Sequence, residues 1–317
     1  MRDPSARTAP PTRAQALARV GEAFAVAGIP GAGPHLQVCL DVDGTIFPRQ
    51  RTISRRVKQA IADHLAAGTH VVIATGRGRQ AAQFILDMLP FDSTVLVCSN
   101  GAQTLFTGST RIPGVPVREV STPGVPDGTH HVANLHTFPQ DVLVRAIEGV
   151  RRALPHSFLA VEPIDGLRRV SPGLTTGYLV EPPYLEEPDS GLALPDVMRM
   201  IVVDPVLDTP SMLSAIAAQH LTGALFAASG PSWLDVSPAG VTKASAVEQL
   251  RSQFGVAPTA TVAVGDGGND VAMLQWARLG IAMGSARNYV KDAADLVTAT
   301  VEDDGAAIVL EALLQRA

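Results

Sequence analysis

Apolar positions along this chain recur with two periods. Leu36 to Leu40 is a largely apolar run of strand length, and from Ser54 the spacing lengthens so that Val57, Ile61 and Leu65 share one face. That face predicts a helix over Ser54 to Ala67, capped by Ser54 and ended by Gly68. A strand over Thr69 to Ala74, a helix around Gln80 to Leu89 and a strand over Thr94 to Cys98 follow. The same grammar returns near the end of the chain. It predicts a helix over Lys243 to Phe254, a strand over Thr261 to Val264, a helix from Asn269, a strand near Leu279 to Met283 and a final helix around Gly305 to Leu314. Strands alternating with helices imply an α/β fold with a parallel sheet.

Between the two halves, Thr110 to Val236 is looser. It is rich in Pro, Gly and His at first, with Gly114 to Gly128 reading as a loop. A helix near Asp141 to Leu154, strands near Ser157 to Val161 and Met198 to Val203, a helix near Ser211 to His220, and strands near Ala224 to Ala228 and Trp233 to Val236 complete it. This is the pattern of a separate α+β insert. The expected division is a core of 36–109 and 237–317, an insert of 110–236, and a flexible N-terminal extension of 1–35. In that extension Leu17, Val20 and Phe24 fall on one helical face, but so short a helix needs something to dock on. Its Arg content and scarcity of acids also fit an organelle transit peptide, although a disordered start is the simpler reading.

Composition narrows the class. With 317 residues and 46% hydrophobic content, the chain can bury a large core. A formal charge of −5 leaves no overall basic field for nucleic acid or an anionic membrane. No apolar run reaches the roughly 18 residues of a membrane span, and a soluble, cytoplasmic protein is expected, either a monomer or a small homo-oligomer. Two cysteines, Cys39 and Cys98, cannot form a disulfide framework, and each sits in a run that reads as a buried strand.

The chemistry gathers where strands run out. Asp41-Val42-Asp43-Gly44-Thr45 follows the first apolar strand, and in parallel α/β sheets ligands bind at the carboxyl ends of strands. Gly265-Asp266-Gly267-Gly268-Asn269-Asp270 also follows a strand and opens a helix, which puts it on the same edge. Asp270 alone suits a helix N-terminus, but Asp266 has no such role. Bringing Asp41, Asp43 and Asp266 together is repulsive without a cation between them, and oxygen-only ligands favour Mg²⁺. Thr75 stands where a strand meets Gly76. Lys243 stands in the first turn of a helix, against the helix dipole.

Asp-Val-Asp-Gly-Thr, Ala-Thr-Gly-Arg (Ala74 to Arg77), Lys243 and Gly-Asp-Gly-Gly-Asn-Asp resemble the four motifs of the haloacid dehalogenase superfamily, most closely its Cof-type phosphatases. Ser99-Asn100-Gly101-Ala102, Ile281-Ala282-Met283-Gly284 and Glu302-Asp303-Asp304-Gly305 agree with that subgroup. Ser285 and Ala244 depart from its usual Asn and Gly without removing a catalytic group. The resemblance implies a Rossmann-like core with the insert as a type-two cap, and a Mg²⁺-dependent phosphatase acting on a small phosphorylated metabolite. It implies Asp41 as nucleophile and Asp43 as acid and base. Metal would be held by Asp41, Asp266 and the Asp43 carbonyl, phosphate by Thr75, Gly76, Lys243 and Asn269, and Asp270 would orient Lys243. A phosphomutase or phosphotransferase would use the same intermediate.

Other candidates carry less. His130, His131 and His136 could suggest a metal site but read as a polar loop, since no cysteine or acidic partner joins them. Arg77 and Arg79 suit either a second anionic group or an ordinary helix start, and Trp233 and Tyr178 read as packing residues.

Overall fold

The computed structural model describes residues 13–48, 52–89, 91, 93–121, 129–174, 183–229 and 232–316. In chain order, helix α1 (Arg13–Ala27) leads into β1 (Gln37–Asp41), α2 (Arg55–Ala66), β2 (His70–Ala74), α3 (Arg79–Met88), β3 (Val95–Cys98) and β4 (Gln103–Phe106). Strands β5 (Arg118–Ser121) and β6 (Thr129–Ala133) form an antiparallel pair. The next stretch holds α4 (Gln140–Ala153), β7 (Phe158–Pro163), β8 (Arg168–Val170), β9 (Tyr184–Glu186), α5 (Asp189–Leu192), β10 (Val197–Val203), α6 (Thr209–Ala217), β11 (Ala224–Ala228) and β12 (Trp233–Pro238). The chain closes with α7 (Lys243–Phe254), β13 (Thr261–Gly265), α8 (Val271–Trp276), β14 (Leu279–Ala282), α9 (Asn288–Lys291), β15 (Leu296–Val297) and α10 (Gly305–Leu314).

Nine strands form the core sheet in the order β15-β14-β13-β1-β2-β3-β4-β6-β5, parallel from β15 to β3 and antiparallel beyond. Strand β1 lies between β2 and β13, where the winding reverses, with Asp41 opposite Ala74 and Leu40 opposite Val264. This register brings the residues that follow all three strands to one edge, at the switch point where α/β sheets bind ligands. The strands are continuous apolar runs because helices cover both faces: Val38, Leu40 and Ile73 point into one layer, Cys39, Val72 and Ala74 into the other. Both cysteines are free and buried, as their strands suggested.

A second sheet, β11-β12-β10-β7-β8-β9, packs α4 and α6 over its own core of Leu143, Val150, Met200, Val202 and Leu234. This is the α+β insert, but it begins later than the expected Thr110. Strand β6 pairs with β4, so residues 118–121 and 129–133 extend the core sheet. Loose composition marked irregular chain there; which sheet it joins is a long-range matter. Residues 122–128 of the expected Pro-rich loop lie outside the described residues.

The N-terminal stretch is corrected in the same way. Residues 1–12 lie outside the described residues, whereas α1 docks on α10 and buries Val20 and Phe24 in the main core, followed by Ile29. The Arg13 and Arg56 guanidiniums converge on Glu311, and Arg316 donates to the carbonyls of Gly21 and Ile29. The face of Leu17, Val20 and Phe24 therefore has a partner, which the periodicity of so short a segment could not supply. No described helix is long and apolar enough to cross a membrane.

Candidate active site

Asp41 ends β1 with 4% of its surface exposed, and the buried Val42 anchors a tight turn in which Gly44 N–H donates to the Phe47 carbonyl. Gly44 has a φ of +83°, and a Cβ there would lie 2.2 Å from an Asp266 carboxylate oxygen. The turn after β1 and the loop after β13 therefore touch at a position that only glycine fits. Gly265 plays the same part for Asp270, whose Cβ a methyl would meet at 2.6 Å.

Lys243 opens α7 behind a Thr242 cap, whose hydroxyl accepts from Ser245 N–H while the Ser245 hydroxyl accepts from Thr242 N–H. It is fully buried, and its ammonium donates to Asp41 Oδ1 at 2.5 Å and to Asp270 Oδ1 at 2.7 Å. The other Asp270 oxygen accepts from the N–H groups of Asp266 and Gly267 at 3.0 and 2.8 Å. Both oxygens of Asp270 are thus engaged in holding Lys243 and the loop after β13. Burial would lower the Lys243 pKa, but Asp270 and Asp41 more than offset it and keep the ammonium charged. Burial, then the charge of Asp270, raises the Asp41 carboxyl well above its usual range and pushes Asp266 up to about 7. Three acids against one lysine make a site short of positive charge.

Among the described residues, Asp41, Asp266 and Asp270 form the group able to offer metal-ligand atoms within 4.8 Å of one another. An all-oxygen set of this kind suits a hard divalent cation. The histidines do not join it. His130 and His131 lie on β6, and burial first, then the Arg79 charge, lowers His130 to about 4.

Asp43 points outward with 52% of its side chain exposed, and Arg77 grips it with two hydrogen bonds of 2.8 and 2.7 Å. The same guanidinium lies over the Phe47 ring. Arg79 is neither a surface residue nor an open anion site: it is buried and donates to Gln103 and to the carbonyls of Ser121 and Ile164. Trp233 packs in the insert with Ala160 and Ile201, and Tyr178 lies outside the described residues.

Thr75 follows β2. Its N–H donates to the Val97 carbonyl and its hydroxyl accepts from Arg77 N–H, which closes a turn around Gly76. A second turn, at Ser99 and Asn100, backs onto this one: Ser99 N–H donates to Arg77 and Asn100 N–H to Thr75. Both residues have positive φ, 51° and 54°, an uncommon conformation for residues other than glycine. Asn269 Nδ2 donates to Asn100 Oδ1 at 2.9 Å, so a residue read only as part of a motif touches a proposed phosphate ligand.

The insert supplies what sequence reasoning missed. Glu162, Arg168, Arg199 and Asp235 are all buried where it meets the core. Glu162 accepts from Arg168 and Ser99, and Arg199 binds both Glu162 and Asp235. Burial alone would raise Glu162, but Arg199 and Arg168 hold it below the usual carboxylate range. Asp235 Oδ2 accepts from Asn100 at 2.8 Å and from Ser229 at 2.6 Å. A charge inside an apolar strand, as in Leu-Ala-Val-Glu-Pro or Val-Met-Arg-Met, was the available signal.

Residues 38–111 and 191–310 match the haloacid dehalogenase-like hydrolase family. The chain is 25% identical over 271 residues to an Arabidopsis thaliana protein named chloroplastic endoribonuclease YBEY, covering 84% of this chain but 44% of that one. It is 26% identical over 287 residues to the 5-amino-6-(5-phospho-D-ribitylamino)uracil phosphatase YitU of Bacillus subtilis, covering 88% of this chain and 97% of that one. A solved phosphatase of the haloalkanoate enzyme superfamily from Bacteroides thetaiotaomicron is 25% identical, with a TM-score of 0.68 over 90% of this chain and 98% of that one.

Proposed function

Because the chain belongs to the haloacid dehalogenase-like hydrolases, we propose that it is a Mg²⁺-dependent phosphatase that hydrolyses a small phosphomonoester through a phospho-aspartate on Asp41. The observation that carries this reading is the buried Lys243 between Asp41 and Asp270, with Asp266 beside them at the switch point of the sheet. Elsewhere such a concentration of buried carboxylates would be a liability; here it matches a cation and a phosphoryl group.

In this scheme an Asp41 oxygen attacks phosphorus as the bond to the leaving oxygen breaks, and Asp43 gives that oxygen a proton. Water then attacks the phosphorus of the acyl phosphate, Asp43 takes its proton, and Asp41 and inorganic phosphate are released. Arg77 keeps Asp43 at the rim until substrate engages it. Lys243 neutralises charge on Asp41 and on the phosphoryl oxygens, with Asp270 holding the ammonium in place, while Thr75, Gly76 and Asn269 grip those oxygens. The Asp41 and Asp266 carboxylates and the Asp43 carbonyl would hold the metal, which when bound offsets charge shared by nucleophile and phosphate.

Over the site, the insert serves as a cap. The ribityl substrate in the name of the Bacillus relative is hydroxyl-rich, which makes sugar phosphates and phosphorylated polyols the first substrates to test. The test is phosphate release from a panel of phosphomonoesters. Release that needs Mg²⁺, stops with chelator and vanishes in Asp41→Asn supports the reading. Equal release by Asp41→Asn would sink it.

A further inference from the structure

Asn269 can grip a phosphoryl oxygen only if its amide presents N–H. A side-chain amide has two ends of similar shape and opposite polarity, and turned around it would set a carbonyl oxygen against an anion. Something must therefore decide which end faces the phosphate.

The deciding group lies in the insert. Both oxygens of Asp235 are acceptors: Oδ1 takes hydrogen bonds from Arg199, and Oδ2 takes them from Ser229 and from Asn100 Nδ2. Since both of its oxygens accept, Asn100 must turn its NH₂ toward it, which sends Asn100 Oδ1 the other way. There Oδ1 accepts from Asn269 Nδ2 at 2.9 Å, and the same logic repeats: Asn269 must turn its NH₂ toward Asn100. Its own Oδ1 is left on the opposite side, near Gly267, where a Cβ would meet it at 2.6 Å. Asn269 Nδ2, Asn100 Oδ1 and Asp235 Oδ2 all lie 3.2 Å from where a Cβ on Gly76 would stand, so the chain of three runs directly behind the phosphate turn. One Nδ2 hydrogen of Asn269 is spent on Asn100 and the other remains for substrate.

Rigid surroundings keep this polarity from being lost by rotation. Asp235 is 2% exposed and Asn100 is buried, its backbone clamped by Thr75. Gly101 lies so close to α7 that a Cβ would meet the Thr242 carbonyl at 2.2 Å. The turn is thus wedged between the phosphate loop and the helix that carries Lys243.

We propose that Asp235 and Asn100 are positioning residues that polarise the Asn269 amide, so that the phosphate grip is complete only when the insert is seated on the core. The inference rests on the phosphatase reading for the role of Asn269. Removing the insert's carboxylate frees both amides to turn. Reversing the first link while keeping an acceptor-only group against Asn269 restores the order, because in the double variant D235N/N100D the donor and acceptor have merely changed places.

The test is calorimetric binding of inorganic phosphate with Mg²⁺ present, together with kcat and KM on the best substrate, for wild type, D235N, N100D, D235N/N100D, N269A and D235N/N269A. Urea unfolding of each variant confirms that it is folded. The expected result is that D235N weakens phosphate binding on the order of tenfold, the scale of one hydrogen bond to a charged group. D235N should have little further effect in the N269A background, and the D235N/N100D pair should bind better than the two single losses predict. An equal D235N loss with and without Asn269, or strict additivity of D235N and N100D, overturns the relay. A wild-type chain that binds no phosphate overturns both the relay and the phosphatase reading. Phosphate binding with the expected coupling but no turnover on any phosphomonoester overturns the phosphatase reading and keeps the relay.

Discussion

Gly44 and Asp266 share one small volume: a Cβ on the glycine would stand 2.2 Å from an oxygen of the carboxylate. Two motifs more than 200 residues apart are thereby locked at a distance that sets the separation of Asp41 and Asp266. In Gly44→Ala the alanine must also hold a φ of +83°, at a cost of about 1–2 kcal/mol. The variant should fold and lose about 100-fold in kcat/KM, since a displacement of about 1 Å of a catalytic group has that effect. Normal turnover in a folded Gly44→Ala would show that Asp266 is free to move without consequence.

Lys243 stands between two buried carboxylates, and Lys243→Met leaves Asp41 and Asp270 facing each other without it. Truncating one partner of a buried ion pair destabilises by about 3–5 kcal/mol. Denaturant unfolding in the presence of chelator should show a loss of that size, and phosphate release should disappear. A variant as stable as wild type would mean that the carboxylates take up protons freely in its absence.

Phe24 is completely buried between α1 and the rest of the core. If the helix is an integral part of the fold, Phe24→Ala should cost about 3–5 kcal/mol in urea unfolding, as other large-to-small core changes do. A loss below about 1 kcal/mol would return α1 to the status of an appendage.

His130 is buried on β6 and its pKa is lowered to about 4, mainly by burial. Its folded state resists a proton that the unfolded chain accepts near pH 6.5, so its contribution to stability falls as the pH drops from about 6.5 toward 4. Between pH 7 and 5, wild type should therefore lose about 1–2 kcal/mol relative to His130→Gln. Parallel stability curves for the two proteins would show that this imidazole protonates in place.

Most elements and the motifs at their ends were legible because they depend on neighbours a few residues away. The helices Lys243–Phe254 and Gly305–Leu314 have the bounds that periodicity and caps predicted, and Ser54 accepts from Val57 N–H as an N-cap should. The aspartates after β1 and β13 meet because both strands run parallel side by side, which alternating strands and helices imply. Two boundaries were not legible. The antiparallel strands at 118–121 and 129–133 and the docking of α1 depend on partners far along the chain, and their local composition resembled loop and tail.

By itself, then, the sequence determined the α/β core and the strand ends that carry Asp41, Thr75 and Asp266, since these follow from local periodicity and turns, while the motif resemblance grouped them with Lys243. Only the tertiary structure decided that Arg77 faces Asp43, that Glu162 and Arg199 lie buried against the core, and that Asp235 reaches Asn100 across 135 positions. A hydrogen bond over that separation leaves no periodic trace, because it depends on how two independently packed sheets come together.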